Sequence, residues 1–289
     1  MSFFRNMRPS ARGSSKKSPT MNPYEAGQIG APGSSGALPP GITANYVTGP
    51  NGIPKPLYLC NPFVRSALIK GSFKTIVVLP KYVDPAEWIA VNLFDFFNNL
   101  NQFYGVVAEF CTIQNNPTMA VGFGLDYTWI DQNRKQVKLP APQYIDYVMT
   151  WVGGLLSDEA TFPTKASREF PPTFRTTAAH IYKQLLRVFA HIYHAQFAYL
   201  VHLCCEGHFN SLFAHFIAFG KEFDLFEFKS FKYSSAAAIG AGGDASSSLR
   251  EEGGGDGGGG AGSGQAYPGV CDLIERWVEL GILDESVLR

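Results

Sequence analysis

A stretch near residue 190 reads Val188-Phe189-Ala190-His191-Ile192-Tyr193-His194-Ala195-Gln196-Phe197. Its apolar residues keep the spacing of a helix, and His191 and Gln196 stand five residues apart on it. A second stretch upstream reads Glu109-Phe110-Cys111-Thr112-Ile113-Gln114-Asn115-Asn116-Pro117-Thr118-Met119, and it places Cys111 and Asn116 five residues apart. Cysteine and histidine are the usual zinc ligands, so the two stretches look like the halves of a zinc site that lacks half of its ligands.

Both stretches resemble the Mob (Mps-one-binder) kinase co-activators. In that family a Glu-Phe-Cys sequence is followed by a second Cys five residues after the first, and two His stand five residues apart in an Ala-His-Ile-Tyr-His-x-His frame. Cys111 and His191 occupy the first position of each pair, whereas Asn116 and Gln196 replace the second. The resemblance runs from about residue 57 to about residue 226, resumes over the last twenty residues, and includes the stretches 87–92, 142–152, 156–159, 162–165 and 211–217.

The resemblance is strongest to the fungal type-two branch of the family. Its marks are the incomplete metal site and the stretch Leu100-Asn101-Gln102-Phe103-Tyr104-Gly105-Val106. The resemblance implies an all-α, Mob-like helical bundle with a small β-hairpin. Two short runs of strand-forming residues place that hairpin between residues 128 and 139, and the rest of the segment 110–140 is predicted to be irregular.

Composition divides the chain into segments of different character. Residues 1–45 are rich in Ser, Gly, Pro and basic residues, and they predict a disordered basic arm. The resemblance implies a single Mob-like domain over residues 46–289. That domain is interrupted at 234–266 by a stretch dominated by Gly, Ser and Ala, which predicts a flexible insertion.

The start of the first helix is marked by Asp84, Pro85 and Glu87. Asp84 is a good capping residue, Pro85 fits the first turn, and Glu87 completes a capping box. The apolar residues that follow cover more than one face of the helix. Such a helix either lies at the centre of a bundle or keeps one face for a partner.

The remaining helix boundaries follow from breaking residues and apolar spacing. Pro142 opens a second helix, which the glycine pair at 153–154 is expected to end. Further helices are predicted at about 173–205, 210–223 and 272–283, with Gly207 and Asn210 breaking the chain between the first two.

Charge and cysteine content limit the classes of partner. The formal net charge is zero, which argues against a nucleic-acid partner. The segment 81–131 contains one lysine and six acidic residues, which favours a basic protein partner. Membrane insertion and a signal peptide are not expected, because no long uncharged apolar run is present. Five irregularly spaced cysteines indicate reduced thiols and an intracellular location.

The chain lacks clear examples of the sequence motifs that mark enzymes. The glycine-rich stretch 253–264 has no Lys-Ser or Lys-Thr pair, so it does not read as a phosphate-binding loop. Cys111 and His191 could form a thiolate–imidazole pair, but no third orienting residue is evident. The resemblance gives both residues a structural role, so we expect neither catalysis nor a small-molecule substrate.

Zinc is not expected as a cofactor. A structural zinc ion needs four nitrogen or sulfur ligands, and only Cys111 and His191 supply them. Asn116 and Gln196 carry neutral amides, and His194 faces a different angle from the fifth residue after His191. The alternative to a metal is a hydrogen bond between Asn116 and Gln196 that ties the upstream loop to the helix.

The first helix is the candidate partner surface. The resemblance implies that it binds the basic region N-terminal to the catalytic domain of NDR/LATS-type protein kinases. Carboxylates would pair with Arg side chains, and an indole would bury the apolar side of the kinase segment. Residues three or four apart share a helix face. The matching positions are Asp84, Glu87, Trp88, Val91 and Asp95. Without the resemblance, Trp88 reads as a core residue and Glu87 as a capping residue.

A second candidate surface lies on the long helix. Type-one members of the family bind phosphopeptides there through a cluster of basic residues. The matching positions are Lys183, Gln184 and Arg187, so one basic residue is missing at Gln184. Because Arg grips phosphate with two hydrogen bonds, its loss predicts weak or absent phosphopeptide binding.

The predicted function is that of a non-catalytic co-activator. The chain is expected to bind an NDR/LATS-type kinase and to stabilise its active state by ordering the N-terminal region of the kinase. The alternative is a scaffold that links kinases without activating them. The expected location is the cytoplasm or the nucleus, including the cell cortex or sites of polarised growth.

Overall fold

The computed structural model describes residues 45–48, 54–69, 71–122, 125–131, 134–165, 168–231 and 269–289. Apart from Asn45, the predicted N-terminal arm lies outside the described residues, and so does the insertion at 234–266. Within the described part, no helix is both long enough and apolar enough to cross a membrane.

The fold is built from helices with short hairpins between them, which confirms the predicted all-α bundle. The helices are α1 (Phe73–Val77), α2 (Pro85–Val107), α3 (Ala141–Leu156), α4 (Phe174–His191), α5 (Phe197–His202), α6 (Glu206–Glu222) and α7 (Cys271–Glu279). The strands form antiparallel pairs of β1 (Tyr46–Thr48) with β2 (Pro54–Pro56), β3 (Met119–Gly122) with β4 (Leu125–Tyr127), and β5 (Trp129–Ile130) with β6 (Gln136–Val137).

The hairpin β5–β6 is the predicted one. Trp129 faces Val137 across it, and the backbone N–H of Asp131 donates to the carbonyl of Lys135 at 2.9 Å. The hairpin β3–β4 corrects the expectation of an irregular segment before residue 128. It was missed because each of its strands is only three or four residues long, too short for a clear alternation of apolar and polar side chains.

Aromatic side chains of α6 form the centre of the bundle. Phe216 stacks on Tyr182 of α4 with the ring centroids 4.0 Å apart. Phe216 and Phe219 both make edge contacts with Phe96 of α2. Gly220 permits this packing, because a Cβ atom there would collide with the Tyr182 hydroxyl. The helix α6 therefore packs against both α2 and α4.

The helix α7 is anchored by Trp277. The indole is fully buried, its N–H donates to the carbonyl of Val64 at 2.9 Å, and its ring lies 5.9 Å from that of Phe213. This confirms the predicted amphipathic helix near the end of the chain. It ends at Glu279 rather than at residue 283 and is followed by a 3₁₀ turn, Glu285–Leu288.

The glycine pair at 153–154 does not end α3, so that prediction was wrong. The helix continues to Leu156, and the Ser157 hydroxyl donates to the carbonyl of Gly153 at 2.8 Å. A Cβ atom on Gly153 would lie 3.4 Å from the ring of Phe97 on α2. That is an ordinary van der Waals distance, so Gly153 is an interior residue of α3 at its contact with α2.

The break before α6 also differs from the prediction. The chain turns at Cys204, whose φ of 54° lies in the left-handed region, and both Gly207 and Asn210 lie inside α6. A Cβ atom on Gly207 would clash with the carbonyl of Ser66, 2.6 Å away. The Asn210 amide donates to the carbonyl of Phe63 at 2.9 Å. Both residues serve packing against the segment 63–66.

The pH dependence of stability is predicted from His215 of α6. Its ring lies 4.9 Å from that of Phe96, and burial lowers its pKa from 6.5 to about 4. The unfolded chain binds a proton near pH 6.5, so folding stability falls as the pH drops from 7 towards 4. Between pH 7 and pH 5, the free energy of unfolding should fall by about 2 kcal/mol less in His215→Phe than in the unaltered chain. Urea unfolding at the two pH values measures this difference.

The control for this experiment is His208→Gln, which changes an exposed histidine of the same helix. It should keep the pH dependence of the unaltered chain. Equal pH dependence in the two variants would contradict the assignment of His215.

Candidate functional site

The first candidate site is a face of α2 formed by Asp84, Glu87, Trp88, Val91 and Asp95, here called the α2 face. Its carboxylates and Val91 are exposed, with 54% of Val91 accessible to solvent. The opposite side of the helix is buried through Ile89, Leu93, Phe96 and Leu100. The structure thus brings the predicted positions together on the surface side of the helix.

The first turn of α2 is organised by Asp84, as predicted. Its carboxylate accepts hydrogen bonds from the backbone N–H groups of Ala86 at 2.8 Å and Glu87 at 3.2 Å. Capping satisfies amide groups that the helix leaves without a partner, and a negative charge is favourable at this end of the helix dipole. Asp84 therefore has a structural role in addition to its position on the α2 face.

Trp88 is half-buried. It packs against the core, and its indole N–H donates to the carbonyl of Val77 at 3.4 Å. The side chain is only partly buried, whereas Glu87 and Val91 on the same helix are exposed. An aromatic ring that is already oriented by the core offers contact area to a partner with little loss of side-chain entropy.

The carboxylates of the α2 face have no basic partner in the described part of the chain. Neither Asp84, Glu87 nor Asp95 forms one of the salt bridges found there. Partial burial raises the pKa of Asp95 above its ordinary value. Carboxylates of this kind can accept charge-assisted hydrogen bonds from cationic side chains.

The second candidate surface, on α4, is engaged by neighbouring aromatic residues. Arg187 donates to the Tyr144 hydroxyl at 2.8 Å and lies over the ring of Tyr127, 4.7 Å from its centroid. The Tyr144 hydroxyl donates in turn to Gln184 at 3.3 Å, while Lys183 is exposed. The structure thus presents one exposed lysine and one arginine that is already held within the fold.

The two halves of the incomplete metal site meet at Cys111 and His191. The Cys111 sulfur lies 3.7 Å from Nε2 of His191, and Nδ1 of His191 donates to the carbonyl of Ala120 at 2.8 Å. Burial raises the pKa of Cys111 to about 11, against a hydrogen bond from Tyr104, and lowers the pKa of His191 to about 4. Both shifts favour the neutral forms, a protonated thiol beside a neutral imidazole.

A π-helical turn, Ile192–Gln196, separates α4 from α5 and was not predicted. In an α-helix the fifth residue after His191 would be rotated by about 140° around the axis. The wider π-helical turn brings Gln196 back towards the side of His191. The spacing of five residues between the two positions was the signal from which this turn was predictable.

The Gln196 side chain is buried, with 1% of its surface exposed. Neither its amide oxygen nor its amide nitrogen has a hydrogen-bond partner among the residues that the structure describes. The expected bond between Gln196 and Asn116 is therefore wrong. Asn116 is held instead through its backbone, which donates to Thr112 at 2.8 Å and accepts from Ala141 at 3.0 Å.

The donor set around Gln196 does not fit zinc. His194 is occupied by a hydrogen bond with the Tyr46 hydroxyl, and the remaining positions carry amides. Over the described ranges, no group of three or more His, Cys, Asp or Glu side chains is arranged to hold a metal ion. Two ligands from Cys111 and His191 fall short of the four that structural zinc sites use.

The π-helical turn is stabilised by Asn45, which sequence reasoning had assigned to the arm. Its side-chain amide donates to the carbonyl of Ala195 at 2.6 Å and accepts from the backbone N–H of Ala198 at 2.8 Å. These groups flank Gln196, whose φ of −124° is not helical. Asn45 thus links the start of the described chain to the irregular turn, and no sequence pattern marked it.

We predict that Asn45→Ala lowers the free energy of unfolding by about 1–3 kcal/mol, because two partly buried backbone groups lose their partner. Chemical denaturation measures this loss. The matched control is Asn99→Ala, which removes an exposed side-chain bond to the carbonyl of Asp95 within one helix and should cost less. Equal losses for the two variants would contradict a special role of Asn45.

Comparisons with known proteins agree with this architecture. A family model described as Mob1/phocein family matches residues 65–234. The chain is 53% identical over 174 residues to the maintenance of ploidy protein mob2 of Schizosaccharomyces pombe, a match that covers 60% of this chain and 71% of that protein.

Two further relatives carry the name CBK1 kinase activator protein MOB2. The one from Candida albicans is 53% identical over 172 residues, and the one from Saccharomyces cerevisiae is 55% identical over 173 residues. Each match covers 60% of this chain, but only 55% and 60% of those proteins, so the chain spans less than two thirds of their length. With a family model matched over more than half of its residues and with these type-two relatives, the chain belongs to the Mob1/phocein family, in its fungal type-two branch.

Proposed function

We propose that the chain is a non-catalytic co-activator of an NDR/LATS-type Ser/Thr kinase. The observation that carries the proposal is the α2 face, on which unpaired carboxylates surround a half-buried indole. The names of two relatives, which describe them as activators of the CBK1 kinase, support the kinase as partner. The partner segment would be the basic region N-terminal to the catalytic domain of the kinase.

Binding at the α2 face would combine two kinds of contact. The carboxylates of Glu87 and Asp95 would accept charge-assisted hydrogen bonds from Arg or Lys side chains. Trp88 and Val91 would bury the apolar side of the same segment, and this desolvated centre would supply most of the affinity. Because exposed ion pairs contribute little on their own, the charges would mainly select the partner and speed its association.

Activation would follow from coupled ordering. A basic kinase segment that is disordered alone would become ordered on the rigid surface of α2. The ordered segment would then help to position the regulatory helix of the kinase and its phosphorylated C-terminal motif. The alternative, a scaffold, would bind the same segment without changing the activity of the kinase.

We predict that Glu87→Lys weakens binding of the kinase segment by at least about tenfold, because a charge pair becomes a repulsion. Titration calorimetry with the full chain and a purified kinase N-terminal region measures the affinity. Thermal unfolding should stay close to that of the unaltered chain, since Glu87 has no salt bridge in the described part of the fold.

The control is Glu285→Lys, which reverses an exposed charge in the 3₁₀ turn near the end of the chain, outside the α2 face. Undiminished binding by Glu87→Lys would contradict the proposed site. Kinase activity measured with and without the chain separates the two functions, because a scaffold leaves the isolated kinase unchanged. An unchanged activity in the bound complex would replace activation by scaffolding.

We also propose that the fold holds no structural zinc. The mixed set of one thiol, one imidazole and two amides supports this view. Elemental analysis of the purified chain should find far less than one zinc ion per molecule, and a chelator should leave the melting temperature unchanged. One zinc ion per chain that disappears in Cys111→Ser would overturn the proposal.

Phosphopeptide binding is proposed to be weak. Gln184 lacks the charge of the family position, and Arg187 is held by Tyr144 and Tyr127. Fluorescence titration with a phosphothreonine peptide is expected to give little binding at physiological salt. Tight binding that is lost in Lys183→Ala would contradict this expectation.

A further inference from the structure

Tyr82 lies in the turn between α1 and α2 and is the most exposed of the large hydrophobic side chains that the structure describes. Its relative exposure is 105%, against 59% for Ile130, the next in rank. No hydrogen bond or ring contact joins Tyr82 to any residue of the described ranges. The ring therefore does not stabilise the described part of the fold through a hydrogen bond or a ring contact.

The backbone at Tyr82 is unfavourable for a residue with a side chain. The N–H of Val83 donates to the carbonyl of Pro80 at 3.3 Å, which makes Tyr82 the third residue of a turn. Its φ of 66° lies in the left-handed region. Turns that require this conformation at the third position normally use Gly or Asn. A bulky aromatic residue is thus kept where glycine would be more stable.

The turn is attached to the α2 face at both ends. The indole of Trp88 donates to the carbonyl of Val77, which holds the segment before Tyr82 against the first turn of α2. Two residues after Tyr82, Asp84 caps the same helix. The exposed ring thus belongs to the turn that leads directly into the first turn of α2, two residues before the capping Asp84.

We propose that Tyr82 is a further partner-binding residue, whose ring packs against an Arg or Lys side chain of the basic kinase segment. This inference rests on the proposed function of the α2 face. The face of a phenol ring attracts cations. An arginine whose N–H groups are paired with a carboxylate still presents the flat face of its guanidinium, so one arginine satisfies both the carboxylates and Tyr82.

At Tyr82, an effect on binding can be distinguished from an effect on stability. A residue that only stabilises the fold loses stability when it is truncated. Removal of the Tyr82 ring breaks no described contact, and glycine relieves the left-handed backbone. Tyr82→Gly should therefore keep or raise the melting temperature while it weakens binding.

The experiment compares Tyr82→Gly, Tyr82→Phe and the unaltered chain by titration calorimetry with a purified N-terminal region of an NDR-type kinase. We expect Tyr82→Gly to raise the dissociation constant roughly 2- to 5-fold, the range of one exposed cation–π contact. Tyr82→Phe keeps the ring and should bind like the unaltered chain. The control is Leu203→Ala, which truncates another exposed apolar side chain, between α5 and α6, and should not change affinity.

The outcomes distinguish this inference from the function on which it rests. If Glu87→Lys abolishes binding and Tyr82→Gly leaves it unchanged, Tyr82 is not a partner-binding residue, although the α2 face stands. If the unaltered chain does not bind the kinase region, both proposals fail. A lower melting temperature of Tyr82→Gly, with a matching loss of affinity, would make the role structural and overturn the inference.

Discussion

Burial of the α6 phenylalanines between α2 and α4 fixes the rotation of α2 about its own axis, and this rotation decides which of its side chains meet water. Phe96 contacts both Phe216 and Phe219, so the side of α2 that carries Phe96 must point inwards. Burial of one such side chain contributes roughly 1.5–3 kcal/mol, whereas an exposed ion pair contributes about 0–1 kcal/mol. The core therefore presents Glu87, Val91 and Asp95 to solvent with a rigidity that surface charges alone do not provide.

The sequence predicted those parts of the fold that depend on local chemistry. Asp84 and Pro85 mark the start of α2 because a capping carboxylate and a proline fit the first turn in almost any context. Gly153 and Gly207 were misread because glycine has two uses. Both lie inside helices, and at Gly207 the missing Cβ atom allows contact with the carbonyl of Ser66. Only the packing partner, which is distant in sequence, distinguishes these uses.

The candidate sites likewise contain features that local sequence predicts and features that depend on residues distant in sequence. The positions on the α2 face were predictable, because residues three or four apart must share one side of a helix. The π-helical turn at Ile192–Gln196 was not predicted, although the spacing of five residues between His191 and Gln196 marks it. The role of Asn45 was not predictable, because its hydrogen bonds join residues about 150 positions apart. The position of Trp88 was predictable, but its partial burial was not. Its spacing placed it on the face, and its bond to Val77 depends on the turn before α2.

The hydrogen bonds of Asn45 to the π-helical turn can be compared in energy with a complete metal site. A complete zinc site contributes on the order of 10–16 kcal/mol in small zinc-finger peptides, whereas two hydrogen bonds contribute about 1–3 kcal/mol. Asn45 therefore does not replace a metal ion energetically. Small domains need a metal because their cores are small, but here the turn is joined to a large aromatic core through Phe189, Tyr193 and Phe197. Because this aromatic core already holds the turn, only the displaced backbone groups of the turn need hydrogen-bond partners. The side chain of Asn45 supplies two of these partners.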